Sequence, residues 1–271
     1  MSERPTSSDS VEPCIGMLDS GVGGLSVLLE VQKLLPEHSI RYIGDSAWCP
    51  YGSKPAGLIQ QRVFQLTDEL IAKGANIIVV ACNSATINAV EALRARYPIP
   101  FVGMEPAVKP AALLTKTGTI GILATEASIA GEKFHHLLET HAAPLKVKVI
   151  TQPCPDFVTL VENGTLEGPE AEEAVRQYAM PMVEAGADTL VLGCTHYPFL
   201  RETIQKIVGN HLNIIDTGQA VAKRTQSLVP SAETEAAPSL HIQTTGPLET
   251  LEALFPKLCP GTVATLSKLE L

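Results

Sequence analysis

The sequence predicts an α/β fold: two pseudo-symmetric, doubly wound parallel-sheet domains with an active site between them. Three observations predict it. Short apolar runs alternate with amphipathic helical stretches along the whole chain, the pattern of parallel strands covered by helices. Two of those runs end in matched settings, Ala75 through Val80 before Cys82 and Ala187 through Leu192 before Cys194. Each is entered through Gly-Ala-(Asn/Asp) and followed at once by small polar residues. Finally, Ile15-Gly16-Met17-Leu18 is echoed by Ile120-Gly121-Ile122-Leu123, so two similar units follow one another.

Taken in order, residues 1–13 are rich in Ser, Pro and acidic side chains and predict a disordered tail. A strand over 14–18 leads into Asp19-Ser20-Gly21-Val22-Gly23-Gly24, which opens a helix over 25–35. The glycines form neither G-x-G-x-x-G nor a loop ending in G-K-[ST], so dinucleotide and P-loop binding are not supported. The turn is either a simple cap or a way to aim Asp19 and Ser20 into a site. A strand over 40–44 precedes a loop dense in turn formers, with Cys49-Pro50-Tyr51-Gly52 and the only Trp. A helix over 60–73 ends at Gly74, a C-cap.

After the first cysteine strand comes a helix to Arg96, stopped by Pro98, and a short strand and crossover at 100–106. A strand over 119–125, a helix over 128–138 and a strand over 147–150 follow. Pro153-Cys154-Pro155 opens an irregular stretch. The helix over 170–184 spaces Glu172 and Arg176 for an i,i+4 pair, and the second cysteine strand begins after Gly186. A helix to Val208, a strand over 213–217, a helix over 218–228, a loop over 230–238, a last strand over 240–245 and a helix over 248–255 complete the chain. The elements after 210 have no counterpart in the second unit. The expected division is therefore 14–98 plus 210–271 for one domain and 99–209 for the other.

The chain has 271 residues, 45% of them apolar, enough for a real core. A net charge of −9 argues against nucleic acid or an anionic membrane as partner. The six cysteines form no C-x-x-C pair, and no signal segment or membrane-spanning run is visible. Reduced thiols and a cytoplasmic location are expected.

A thiol at each of two matched strand ends admits four chemistries. Cys194 and His196 could begin a metal site, but nothing in the spacing completes one. They could form a Cys-His nucleophile, since alternate residues of an extended strand share a side; Cys82 would then be idle. Both cysteines could be core filler. The fourth reading uses every residue: inverting a stereocentre needs a base on one face and an acid on the other, and two thiols on opposed walls supply both in either direction.

Four blocks carry a family resemblance. Asp19-Ser20-Gly21-Val22-Gly23-Gly24-Leu25-Ser26-Val27, Gly44-Asp45 with Pro50-Tyr51-Gly52, Ala81-Cys82-Asn83-Ser84-Ala85-Thr86 and Gly193-Cys194-Thr195-His196-Tyr197-Pro198 together resemble glutamate racemases. The resemblance runs from Cys14 to at least Leu228, and 242–246 is similar to the family's last strand. It implies cofactor-independent interconversion of L- and D-glutamate, with no pyridoxal phosphate and no metal, supplying D-glutamate for peptidoglycan. Cys82 would act on the D-glutamate face, assisted by Asp19, and Cys194 on the L-glutamate face, assisted by His196. Asp19, Ser20, Pro50, Tyr51, Gly52, Asn83, Ser84, Thr195 and His196 would contact substrate, with Thr125 and Ser128 added by a weaker match. Ser84 stands where the family often has Thr, and Ser128 where it often has a second Thr. A homodimer is the family's common state. An aspartate racemase or related two-cysteine racemase is the nearest alternative, and a Cys-His hydrolase a more distant one.

Overall fold

The structure, a computed structural model, describes residues 14–230 and 237–271. The expected tail at 1–13 and most of the loop at 230–238 lie outside those residues.

Ten strands and eleven α-helices follow one another along the described residues. The first unit holds β1 (Cys14–Asp19), α1 (Leu25–Leu34), β2 (Ser39–Gly44), α2 (Ala56–Ala72), β3 (Ala75–Val80), α3 (Asn83–Arg96) and β4 (Phe101–Val102). After α4 (Val108–Leu114), the second unit holds β5 (Thr119–Ala124), α5 (Glu126–Ala130), α6 (Glu132–Leu137), β6 (Lys148–Pro153), α7 (Pro155–Glu162), α8 (Pro169–Glu184), β7 (Thr189–Gly193), α9 (Arg201–Val208) and β8 (Asn213–Ile215). The chain closes with α10 (Gly218–Gln226), β9 (Leu240–Thr244), α11 (Leu248–Leu258) and β10 (Thr265–Lys268).

All pairings are parallel. One sheet runs β10-β9-β2-β1-β3-β4 and the other β6-β5-β7-β8. The order β2-β1-β3-β4 is repeated as β6-β5-β7-β8, so β1 corresponds to β5 and β3 to β7. Each unit therefore has its strand-order reversal at the carboxyl ends of its central strands, where open α/β sheets bind ligands. The echoing glycines hold equivalent places. A Cβ on Gly16 would sit 2.6 Å from Ile78 Cδ1, and one on Gly121 would sit 2.5 Å from Met182 Sδ. In the first unit a side chain of the neighbouring strand, and in the second one of the covering helix α8, packs against the backbone of the central strand and leaves no room for a Cβ.

The sheets redraw the expected division. Phe101–Val102 pairs with β3 and stays in the first sheet, whereas Asn213–Ile215 pairs with β7 and belongs to the second. Pro98 and Gly209 mark loops, but each unit completes its own fourth strand before the chain crosses over. Asp216 and Thr217 are not strand: the Asp216 carboxylate accepts from the Gly218 amide and closes the turn into α10.

Three further elements differ from expectation. The helix expected over 128–138 is split at Gly131, whose extended backbone separates α5 from α6. The stretch after Cys154 is helical, not irregular. Pro155 takes the first helical position, Asp156 the first turn, and Phe157, Val158, Leu160 and Val161 are buried. The last strand is β10, an edge strand pairing only β9, with the weak pattern Thr-Leu-Ser-Lys. The Glu172–Arg176 ion pair forms at 3.5 Å, and Lys206 joins the same carboxylate. Among the described residues no helix is long and apolar enough to cross a membrane.

Candidate active site

The carboxyl ends of five strands from the two sheets bring their following residues together. From β1 come Asp19 and Ser20, from β3 Cys82 and Asn83, from β5 Thr125, from β6 the helix bearing Glu162, and from β7 Cys194, Thr195 and His196. The two units are stitched together there. Thr195 Oγ1 donates to Asp19 Oδ2 at 2.8 Å, Ser26 Oγ donates to the Thr195 carbonyl at 2.8 Å, and the Val22 amide donates to Glu162 Oε1 at 2.8 Å.

Both thiols are buried, with Cys82 5% and Cys194 8% exposed. Their backbones match as far as the strand end and then diverge. Cys82 is the N-cap of α3: its sulfur accepts from the Ala85 amide at 3.4 Å and lies 3.8 Å from Ser20 Oγ. The positive end of a helix favours a thiolate there, but burial outweighs it. Burial, then the Asp19 charge and the Cys194 charge, push the Cys82 thiol well up. Cys194 begins no α-helix. Its carbonyl accepts from Tyr197, and a 3-10 turn over Tyr197–Leu200 follows. His196 therefore reaches the sulfur from a helical-range turn and not from an extended strand, with Nδ1 at 3.6 Å from Cys194 Sγ.

The two thiols have different ionisable neighbours. Asp19 is fully buried, and burial pushes its carboxyl up to about 6. The nearby His196 charge and hydrogen bonds from Thr195, Ser20 and the Gly21 amide oppose that rise. Asp19 reaches Cys82 through Ser20, whose hydroxyl donates to Asp19 Oδ1 at 2.9 Å. On the other side, His196 Nε2 lies 2.7 Å from Glu162 Oε1. Burial would lower the imidazole, but its contacts with Cys194, Cys49 and Glu162 outweigh burial and hold it well above its ordinary value. Burial would raise Glu162, yet the His196 contact and the Val22 amide keep it below the usual carboxylate range. An ionised carboxylate only accepts, so Nε2 carries a proton and Nδ1 is left to share one with Cys194.

The glycine-rich turn after β1 is explained by this meeting. A Cβ on Gly21 would fall 2.0 Å from Glu162 Oε1, and one on Gly23 would fall 2.3 Å from His196 Nδ1. The turn has no side-chain cap; its glycines leave room for two side chains of the other unit. Gly23→Ala is therefore expected to displace the imidazole and lower kcat by roughly 100-fold, the scale for a misplacement of about 1 Å. Steady-state kinetics on folded protein reads this, and unchanged kcat would mean that His196 has no need of its position.

The remaining sequence-predicted residues divide into those facing the site and those supporting it. Asn83 is 2% exposed, and both its amide atoms lack a partner among the described residues. A buried polar group in that condition points to a ligand. Ser84 Oγ lies 3.3 Å from Thr125 Oγ1, a contact between the units. Thr125 caps α5 by accepting from the Ser128 amide, and the two hydroxyls pair at 2.8 Å. Pro50, Gly52 and Thr125 line one cavity of about 140 Å³ with Pro153, Pro155 and Val158. Tyr51 is different. Its hydroxyl donates to Asp45 Oδ2 at 2.6 Å, so it offers a ligand backbone only.

Sequence reasoning missed two supports. Glu162 was hidden in the unrecognised α7, although Pro155-Asp156 before an apolar face is a helix-start signal. Asp45 lies inside a quoted block, but its partners are distant: Arg62 holds it with two bonds, at 2.8 and 2.9 Å, and Thr245 donates to it at 2.7 Å. This network fixes the loop that carries Pro50-Tyr51-Gly52. Cys49 also lies here, its sulfur 3.5 Å from Glu162 Oε1.

The family model described as Asp/Glu/Hydantoin racemase matches residues 26–225. A glutamate racemase of Ectopseudomonas mendocina is 45% identical over 248 residues, covering 90% of this chain and 94% of the relative. One of Herpetosiphon aurantiacus is 48% identical over 219 residues, covering 81% and 85%. Among solved structures, an Escherichia coli glutamate racemase in complex with L-glutamate and the activator UDP-MurNAc-Ala superposes with a TM-score of 0.85 at 32% identity, covering 95% of this chain and 98% of that one. A Bacillus anthracis glutamate racemase isoform gives 0.84 at 32% identity, covering 96% and 98%. By its sequence match and its fold, the chain belongs to the Asp/Glu/Hydantoin racemase family.

Proposed function

We propose that the protein is a glutamate racemase that interconverts L- and D-glutamate by two thiols without a cofactor, supplying D-glutamate for peptidoglycan. The observation that carries the reading is the equivalent placement of the buried Cys82 and Cys194 at the ends of corresponding strands, each beside its own ionisable neighbour. With L-glutamate bound, the Cys194 sulfur removes the α-proton and the Cys82 thiol delivers one to the opposite face; the reverse reaction exchanges the roles. Burial supports Cys82 as the resting acid, because it favours the neutral thiol. His196, held by Glu162, shares the proton of Cys194, and Asp19 acts on Cys82 through Ser20. The unpartnered amide of Asn83, with the hydroxyls of Ser20, Ser84 and Thr195, suits the substrate carboxylates. The backbone at Pro50-Tyr51-Gly52 and the Thr125–Ser128 pair complete the wall. Oriented donors of this kind stabilise the carbanion-like state.

Cytoplasmic placement and a homodimer extend the same reading. Cys49, Cys82, Cys154, Cys194 and Cys259 are all thiols, which suits a reducing compartment. The test of function is exchange in deuterated water, run on glutamate and aspartate in parallel with a chelator present and no pyridoxal phosphate. Glutamate is expected to racemise with solvent deuterium at Cα, and aspartate to do so far more slowly. No exchange from either enantiomer of either substrate would sink the proposal.

A further inference from the structure

We propose that Cys49, Glu162 and His196 form a binding site for a zinc-class divalent cation, and that occupying it suppresses turnover by tying up the His196 nitrogen that faces Glu162. One ligand atom from each residue lies within 4.8 Å of the others. The set is a thiol, an imidazole and a carboxylate, the donor types and number of an open, three-ligand zinc site. Ordinary bond lengths of roughly 2.0–2.3 Å to N, O and S fit a cluster of this size after small side-chain shifts.

The surroundings suit a cation. Glu162 is oriented from behind by the Val22 amide, as outer-shell hydrogen bonds orient metal ligands. Gly21 and Gly23 hold the space open, because a Cβ at either would collide with Glu162 or His196. Cys49 and Glu162 are only partly buried while His196 is buried, so an ion can enter from the Cys49 side. Cys49 is neither the acid nor the base of the proposed proton transfer, and its sulfur borders the Glu162 carboxylate at 3.5 Å.

Binding breaks the hydrogen bond between His196 Nε2 and Glu162 and replaces it with coordination. The cation accepts lone pairs from Cys49 Sγ, a His196 nitrogen and a Glu162 oxygen. The Cys49 proton and the extra imidazole proton leave to solvent, so affinity rises with pH. With Nε2 on the ion the ring can no longer become an imidazolium, so Nδ1 still faces Cys194 but cannot take up and return a second proton there. This effect on turnover rests on the racemase reading; the binding itself does not.

The test uses the whole protein with Co²⁺ as a spectroscopic probe and Zn²⁺ in a metal-buffered assay. Co²⁺ is expected to give a thiolate charge-transfer band in the near ultraviolet that Cys49→Val and Cys49→Ser both lose. Zn²⁺ is expected to inhibit the unaltered enzyme reversibly, with chelator restoring the rate. Each variant, measured against its own zinc-free rate, should need at least about 100-fold more zinc for half inhibition, since even outer-shell changes cost 10–100-fold in metal affinity. On the unaltered chain, zinc should also shield Cys49 from alkylation, read by peptide mass spectrometry, which serves if the variants do not fold. A Co²⁺ band or zinc sensitivity unchanged by Cys49→Val would place the ion on the other thiols and overturn the site. So would Cys49 left unshielded by zinc. If the protein proved not to racemise, the Co²⁺ band and the shielding would still decide the site.

Discussion

Cys82→Ser and Cys194→Ser are each expected to lower racemisation by roughly 10²–10⁴-fold or more, the range for loss of a positioned acid or base. Serine keeps the shape, so the two sheets and their contacts should persist. What is lost is the thiol itself, since a serine hydroxyl is a far weaker acid than a thiol. The loss should be seen in both directions, because each thiol is base in one direction and acid in the other. Circular dichroism starting from each enantiomer reads both. If Cys82→Ser kept its turnover, chemistry would run on one thiol and the symmetric placement of the other would have no mechanistic meaning.

Asp19→Asn is expected to do two opposite things: lower activity and raise stability. The carboxyl is fully buried and shifted from 3.8 to about 6, so the folded state resists its ionisation. Because the folded value lies above the unfolded one, Asp19 contributes stability that is fully present below about 4 and lost as pH rises through about 6. At pH 8 that loss is on the order of 3 kcal/mol, at about 1.4 kcal/mol per unit. Asparagine carries no such penalty and can still meet Ser20 and Thr195. Urea unfolding at pH 8 should show the variant more stable, with the gap closing toward pH 4. Equal stability at both pH values would show that the buried charge carries no such cost. The kinetic loss should persist at every pH, since the amide cannot take a proton from the Ser20–Cys82 side.

Much of this was legible because strand ends announce themselves. Cys82 and Cys194 each follow an unbroken apolar run and precede hydrogen-bonding residues, a local signal strong enough to place both. The glycines of the first turn were visible, but their reason was not. What they make room for, Glu162 and His196, comes from the other unit, and no local pattern encodes a partner so distant in the chain. Asp45 is similar, since its meaning lies in Arg62 and Thr245. The strand exchange at 101–102 and 213–215 escaped because two- and three-residue strands carry too little periodicity, and prolines and glycines mark loops whether or not the chain changes sheet.

The unlike helpers of the two thiols, Ser20 and Asp19 on one side and His196 and Glu162 on the other, meet a constraint from outside the protein. Enantiomers have the same free energy in water, so the equilibrium between them is unity whatever catalyst is present. Detailed balance then forces kcat/KM to be equal in the two directions. The asymmetry of the walls cannot favour one enantiomer as product. It can appear only as a trade between affinity and speed: the enantiomer held more tightly must turn over more slowly in proportion. A net flow toward either hand therefore has to come from whatever removes the product.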